Sequence, residues 1–148
     1  MRIGYFLVLF LLGIPLVINA QKNYYSKDKK AIKYYEDAYR AFNSRNYEDA
    51  LDLLEKSLGK DPGFYEAWDL FSRVQFENGD MDEALQALYK MVDIAPKANP
   101  DNYFYMGQFE FELTDYKKAQ EHLRYFLSLI NTNNPRYSLT TRTLEDCD

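Results

Sequence analysis

The side chains able to act as acid, base or nucleophile are few in this chain. His122 is the only histidine and Cys147 the only cysteine among 148 residues. His122 lies one position off an apolar helical face, so we interpret it as a solvated or packing residue rather than a general base. Cys147 has no histidine near it in sequence, which favours a small apolar packing role over a nucleophile. We therefore predict no catalytic residue.

Clusters of carboxylates are the other candidates, because carboxylates can bind a metal ion. They occur at positions 48–49, 80–83 and 145–148, where helix capping and solvated faces account for them. A single cysteine forms neither an intramolecular disulfide nor a cysteine-based metal cluster. The six glycines include no glycine-rich phosphate loop. The sequence therefore predicts a protein that is not an enzyme, with no metal, no cofactor and no small-molecule substrate.

The charge balance of the chain is acidic. It contains 18 lysines and arginines against 23 aspartates and glutamates, a net charge of −5. Nucleic acids and anionic membrane surfaces attract basic rather than acidic proteins. We therefore predict no nucleic-acid partner.

One stretch, from Glu77 to Lys97, contains both the start and the end of a complete helix. Asp80 is its predicted N-cap, Glu83 completes a capping box, and Pro96 ends the helix. The residues of its apolar face recur in register 34 residues earlier and 35 residues later. The three sets are Ala84, Leu88, Met91 and Val92; Ala50, Leu54, Ser57 and Leu58; and Ala119, Leu123, Phe126 and Leu127. Such a period indicates a stack of helical hairpins.

This periodicity predicts an all-α fold of three hairpins. A polar lead-in at 21–30 precedes them, and a closing helix at 135–148 follows, with Asn134 as N-cap and Pro135 at the first helical position. The six helices of the hairpins are predicted at 30–44, 47–60, 64–77, 81–94, 99–112 and 116–130.

The closing helix has a face suited to capping the stack. Thr140 and Leu144 lie on the side that would cover the open end of the third hairpin, whereas Leu139 lies off it. The helix ends in a run of acidic residues, which places negative charge at the negative end of the helix dipole. We therefore expect the helix to be truncated and the chain to be the N-terminal piece of a longer protein.

The first twenty residues have the pattern of a secretory signal. Arg2 precedes an uncharged apolar run from Phe6 to Ile18, and the small residue Ala20 follows. We predict a signal peptide at 1–20, cleaved after Ala20 to leave Gln21 as the mature N-terminus. The alternative is an uncleaved membrane anchor, although the run is short for a membrane-spanning helix.

The repeats resemble the tetratricopeptide repeat family in residues 31–131. Trp68, with Tyr34 and Tyr103 at the matching positions, supplies the bulk that fills the space between hairpins. Small residues recur where two helices cross closely, at Ala38, Ser72, Gly107, Ala50, Ala84 and Ala119. The resemblance implies an all-α solenoid of three repeats, at 31–64, 65–98 and 99–131, closed by the C-terminal capping helix.

In that family the first helix of each hairpin lines a concave groove that holds a peptide or a partner's helix. The resemblance assigns the groove positions to Tyr35, Tyr39, Asp69, Arg73, Phe104 and Gln108, with Phe42, Phe76 and Phe111 one turn further along. Nearby carboxylates imply a protein or peptide partner with apolar and basic groups. Alternatively, several of these aromatic side chains belong to the core.

The signal, the repeats and the closing LEDCD segment also resemble the N-terminal region of certain Bacteroidota envelope proteins. In those proteins the repeats precede a β-propeller and a peptidoglycan-binding domain of the outer-membrane-protein-A type. The resemblance implies an exported protein of the periplasm or outer membrane that belongs to an envelope or secretion complex. We expect an interaction and assembly module; the alternative is a structural spacer that packs against domains missing from this chain.

Overall fold

A computed structural model describes residues 23–148, and in this range the chain forms seven helices. Among the described residues, none of the helices combines the length and the apolar character needed to cross a membrane. The predicted signal at 1–20 and its cleavage after Ala20 lie outside the described residues. The helices are α1 Lys29–Asn43, α2 Tyr47–Lys60, α3 Tyr65–Asn78, α4 Met81–Ile94, α5 Asp101–Glu112, α6 Tyr116–Leu129 and α7 Tyr137–Asp146.

The six helices predicted for the hairpins are confirmed, and side-chain caps explain where the second helices begin. Asn46, Asp80 and Asp115 each accept a backbone N–H from three residues further on, at 3.4, 3.1 and 3.4 Å. The reciprocal half of the predicted capping box at Glu83 does not form, because the Asp80 N–H donates to the Gln75 carbonyl at 2.9 Å. The turn before α4 therefore satisfies that N–H without Glu83.

The closing helix α7 begins two residues later than predicted. The Asn134 side chain accepts the N–H of Arg136 at 2.9 Å, so Pro135 lies in a turn before the helix. Thr140 is fully buried and Thr143 nearly so. Their hydroxyls donate to carbonyls four residues earlier, at 2.7 and 3.1 Å, which satisfies them inside the interface.

The helices pair into three hairpins, α1 with α2, α3 with α4 and α5 with α6, and α7 packs on the last. Trp68 contacts both hydrophobic clusters of the core, as its predicted role between hairpins requires. The small crossing residues are buried. At Gly107 a Cβ atom would lie 2.5 Å from Cγ of Leu123, so only glycine fits the observed approach of α5 and α6.

Candidate partner-binding cleft

A cleft of about 490 Å³ opens between the first helices of the three hairpins, α1, α3 and α5. It is a groove of the kind that the hairpin arrangement predicts, since successive first helices follow one another on the same side of a solenoid. Its lining consists of Phe42, Asp69, Ser72, Arg73, Phe76, Glu77, Leu88, Asn99, Asp101, Asn102, Tyr105 and Phe109.

Aromatic rings form the apolar part of the cleft. Phe76 of α3 and Phe109 of α5 stack with their centroids 5.2 Å apart and their planes 10° from parallel. Phe76 remains 48% exposed and Tyr105 remains 40% exposed. Large apolar side chains that stay accessible in a concave site are typical of surfaces that bind another molecule.

The charged side chains of the lining are three carboxylates and one guanidinium. Asp69 and Arg73 lie 3.7 Å apart, and partial burial raises the pKa of the Asp69 carboxyl despite the lowering effect of Arg73. Asp101 pairs with Arg136 of the segment before α7 at 3.0 Å. Glu77 forms no ion pair within residues 23–148. Carboxylates therefore outnumber guanidinium groups in the lining of the cleft.

The segment that leads into α7 closes one end of the cleft. The Arg136 guanidinium lies 5.1 Å from the ring centre of Phe104 and 5.3 Å from that of Tyr105. It also donates to the Tyr105 hydroxyl oxygen at 2.8 Å. Together with the Asp101 pair, these contacts fix the entry to α7 against the start of α5.

The lead-in before α1 covers the opposite end of the inner face. The Tyr24 ring packs edge-on against Tyr35 and Phe64, at centroid distances of 5.4 and 5.8 Å. The Tyr25 N–H donates to the Glu66 carboxylate at 3.2 Å. Burial raises the pKa of Tyr35 to about 12. The lead-in is therefore a packed segment rather than a free tail over these residues.

The six predicted groove residues do not share one site. Asp69 and Arg73 line the cleft, as expected. Tyr35 and Tyr39 line a separate hollow next to Tyr24, because the lead-in packs against Tyr35 at that end of the inner face.

The placement of the third pair in the groove requires a correction. Phe104 is only 5% exposed, because it packs against Phe126 at 5.4 Å and Arg136 covers its ring. Gln108 donates to the Thr143 hydroxyl at 3.1 Å, so α7 occupies the position expected for a partner. Both residues therefore belong to the capped end of the stack and not to an open wall.

Sequence reasoning missed two aromatic residues of the cleft. Tyr105 and Phe109 line it from α5, whereas the predicted Phe111 packs against Tyr116 at 5.5 Å. Phe42 and Phe76, which the resemblance places one turn beyond the groove residues, do line the cleft. The signal that could have identified the missing pair is the composition of α5, which has aromatic residues on most of its faces.

A buried polar cluster lies apart from the cleft, between α4, α5 and α6. Glu110 is fully buried, and its carboxylate lies 2.7 Å from Nδ1 of His122 and accepts the Tyr89 hydroxyl. Burial and the neighbouring Glu110 raise the pKa of Tyr89. The described residues contain no group of three metal-ligating side chains. His122 thus packs and satisfies a buried carboxylate, so of the two roles predicted for it, solvated or packing, the structure shows the packing role.

Comparison with known proteins identifies the repeat unit. Residues 35–99 match a family model described as a tetratricopeptide repeat. A comparison with curated protein sequences gives no match.

Solved structures with the same fold include two peptide complexes. The first tetratricopeptide domain of Spaghetti (RPAP3), bound to an HSP90 peptide, aligns over 80% of this chain and 90% of its own. The identity is 20% and the TM-score is 0.65. The Yersinia enterocolitica type III secretion chaperone SycD, in complex with a peptide of the translocator YopD, covers 81% of this chain and 93% of its own, with 19% identity and a TM-score of 0.65. YrrB, described as having an unusual peptide-binding site, aligns over 79% of this chain and 58% of its own, with 21% identity and a TM-score of 0.65.

Proposed function

We propose that the chain is a non-catalytic interaction module whose cleft binds a segment of a partner protein, which the tetratricopeptide repeat match of residues 35–99 supports. The observation that carries this proposal is the exposed aromatic surface of Phe76 and Tyr105 between acidic side chains. Solved structures of the same fold hold peptides of HSP90 and YopD, which supports peptide binding as the class of activity. Rigid stacked hairpins lose little entropy when they bind, which suits this role.

The cleft suits a partner segment with apolar and basic groups. Its rings offer apolar contact area, and its carboxylates outnumber its one guanidinium. The cleft is open to water, so the attraction is screened by salt, with a Debye length of about 8 Å at physiological ionic strength. We therefore propose that added salt weakens binding without abolishing it.

We also propose that the chain is exported to the bacterial envelope and works in an assembly or secretion complex there. The support is the pattern of residues 1–20, with Arg2 before an apolar run and Ala20 after it. Mass spectrometry of the protein exported by its own host tests this proposal. The expected chain begins at Gln21, and a membrane-bound chain that retains Arg2 indicates an anchor instead.

A structural spacer is the second candidate function, and the same exposed rings favour it. In a spacer, further domains of a longer protein would cover Phe76 and Tyr105, and no separate partner would use the cleft. Hydrogen exchange distinguishes the two functions. Protection of residues 69–77 in the longer protein without any added partner supports the spacer.

Selection of phage-displayed random peptides on the immobilised full chain tests the binding function. Peptides that bind the cleft should lose about thirtyfold in affinity for the Phe76→Ala, Tyr105→Ala double variant, since buried aromatic anchors are worth about 2 kcal/mol or more. The matched control replaces Leu129 and Leu139, which are 44% and 45% exposed and do not line the cleft. Peptides that bind both double variants equally, or the absence of any enriched peptide, contradict the proposal.

A further inference from the structure

Two arginines of the chain already occupy similar environments on the inner face. Arg136 stacks over the rings of Phe104 and Tyr105 and pairs with the Asp101 carboxylate at 3.0 Å. Arg73 lies 5.1 Å from the ring centre of Phe42 and 3.7 Å from the Asp69 carboxylate. In both cases a guanidinium lies against an aromatic face and next to an acid, an arrangement that stabilises it by cation–π attraction and charge pairing.

The cleft contains a third set of the same parts without an arginine. Phe76 is stacked on Phe109 and keeps 48% of its surface exposed, and the next residue, Glu77, lines the same cleft. Within residues 23–148 Glu77 has no ion pair, whereas the cleft's other two carboxylates, Asp69 and Asp101, each have one. The rings and the acid are therefore free to receive a cation from outside the described part of the chain.

We propose that the middle of the cleft is a subsite for an arginine side chain of the partner segment, stacked on Phe76 and paired with Glu77. This inference rests on the proposed function and names the group that the cleft recognises. Arginine fits better than lysine, because a planar guanidinium stacks on a ring while its N–H groups still reach a carboxylate. Apolar residues beside the arginine contact the remaining ring surface of Phe42 and Tyr105.

Two blocked heptapeptides with an alanine background provide the probes. One has an arginine between a leucine and a phenylalanine, and the other has citrulline in place of the arginine, which keeps the shape but removes the charge. We expect the arginine peptide to bind the ¹⁵N-labelled full chain about tenfold more tightly than the citrulline peptide, from the usual worth of a cation–π contact and an ion pair. Backbone amide signals at 73–77 and 105–109 should shift during the NMR titration.

The Glu77→Gln variant tests the assignment of the acid. We expect it to reduce the preference for arginine over citrulline to less than about twofold, because the amide keeps the size of the side chain but not its charge. Glu121→Gln, at an exposed position of α6 outside the cleft, is the matched control and should keep the full preference. Both positions are exposed, so neither change removes a core contact.

Several outcomes would overturn the inference. Equal affinity for the two peptides, no binding of either, or a preference that survives Glu77→Gln each contradict it. Sedimentation that shows a dimer of the full chain, lost in Glu77→Lys, assigns the cleft to a second copy and also contradicts it. A third probe, with leucine in place of the arginine, separates this failure from that of the proposed function. If the leucine probe binds as well as the arginine probe, and its binding is lost in the Phe76→Ala, Tyr105→Ala variant, the cleft binds peptides without recognising a cation. The proposed function then holds and the arginine subsite does not.

Discussion

The cleft differs from the seams, the contacts between paired helices, in how fully its polar and aromatic side chains are buried and partnered. In the seams, the buried side-chain polar groups of the described residues all have partners: the Ser57 hydroxyl donates to the Ala31 carbonyl at 2.8 Å, and Glu110 accepts from Tyr89 and contacts His122. In the cleft, Phe76 is half exposed, and burial raises the pKa of the Asp69 carboxyl despite its ion pair with Arg73. The seams are arranged for stability, whereas the cleft is not.

This difference shows where the fold gives up stability. Aromatic rings left in water are unfavourable in a free protein, and functional sites commonly retain such features. The ends of the inner face support the same view, since the chain's own segments cover the equivalent positions at Tyr35 and Phe104. Within residues 23–148, the middle of the inner face keeps the rings of Phe76 and Tyr105 accessible to another molecule.

The largest effect should come from removing the buried acid of the third hairpin. Glu110→Ala should lower the free energy of unfolding by roughly 2–4 kcal/mol, because it leaves the hydrogen-bonding groups of Tyr89 and His122 without their partner and opens a cavity. Urea denaturation measures the change. Gln75→Ala, at the equivalent half-buried position of the second hairpin, is the control and should cost less than about 1 kcal/mol. Equal costs at the two positions would show that the polar cluster contributes no stability of its own.

A smaller loss is expected where α5 and α6 cross. Gly107→Ala should destabilise the chain by roughly 1–3 kcal/mol, because the new Cβ would meet Leu123 and the Ala119 carbonyl. Gly59→Ala in α2 is the matched control, since no atom lies within 4 Å of its added Cβ. Alanine is the better helix former, so the control should gain up to about 1 kcal/mol. Thermal or urea unfolding that ranks the two variants the other way contradicts the tight crossing.

A substitution in the cleft should weaken binding and leave stability nearly unchanged, unlike the substitutions in the seams. Asp69→Asn should leave the chain as stable as wild type or more stable by about 0.5 kcal/mol at most, once solvent screening of this half-exposed group is allowed for. The same change should weaken binding of cleft-selected peptides, because it removes one of the acids. A variant that loses stability and keeps its binding would place Asp69 among the structural residues.

The smallest expected effect is on the pH dependence of the free energy of unfolding, to which two aspartates contribute with opposite signs. The folded-state pKa of Asp69 is raised by burial, so its carboxylate disfavours folding increasingly as pH rises through that pKa. The pKa of Asp115 is lowered by its hydrogen bonds to Lys118, so its contribution is present above the ordinary pKa and lost as pH falls. We therefore expect the free energy of unfolding of Asp69→Asn, relative to wild type, to rise from pH 4 to pH 7. That of Asp115→Asn, relative to wild type, should fall over the same range, and urea unfolding at both pH values measures the two changes. The same sign for both would contradict this difference.

The hairpins could be predicted because their determinants are local and periodic. The caps at Asn46, Asp80 and Asp115 each act within one helical turn. The small residues at the crossings recur with the repeat, so one hairpin predicts the next. Helix bounds and packing faces are therefore largely readable from the sequence.

The extent of the cleft along the inner face could not be predicted, because it depends on segments outside the repeat. Phe104 occupies the same repeat position as Asp69, yet Arg136 covers it. Tyr35 occupies that position in the first repeat, yet Tyr24 packs against it. The cluster of Glu110, Tyr89 and His122 was hidden for a similar reason, since its members come from three helices that only tertiary packing brings together.

Site-specific photocrosslinking tests the central claim most directly. The full chain is prepared with benzoylphenylalanine at position 76 or, as control, at position 139, which is equally exposed but lies on α7. Cleft-selected peptides should form a covalent adduct with the first protein and not with the second, and excess unlabelled peptide should suppress it. Adducts of equal yield at both positions, or only at position 139, would contradict a binding site between α1, α3 and α5.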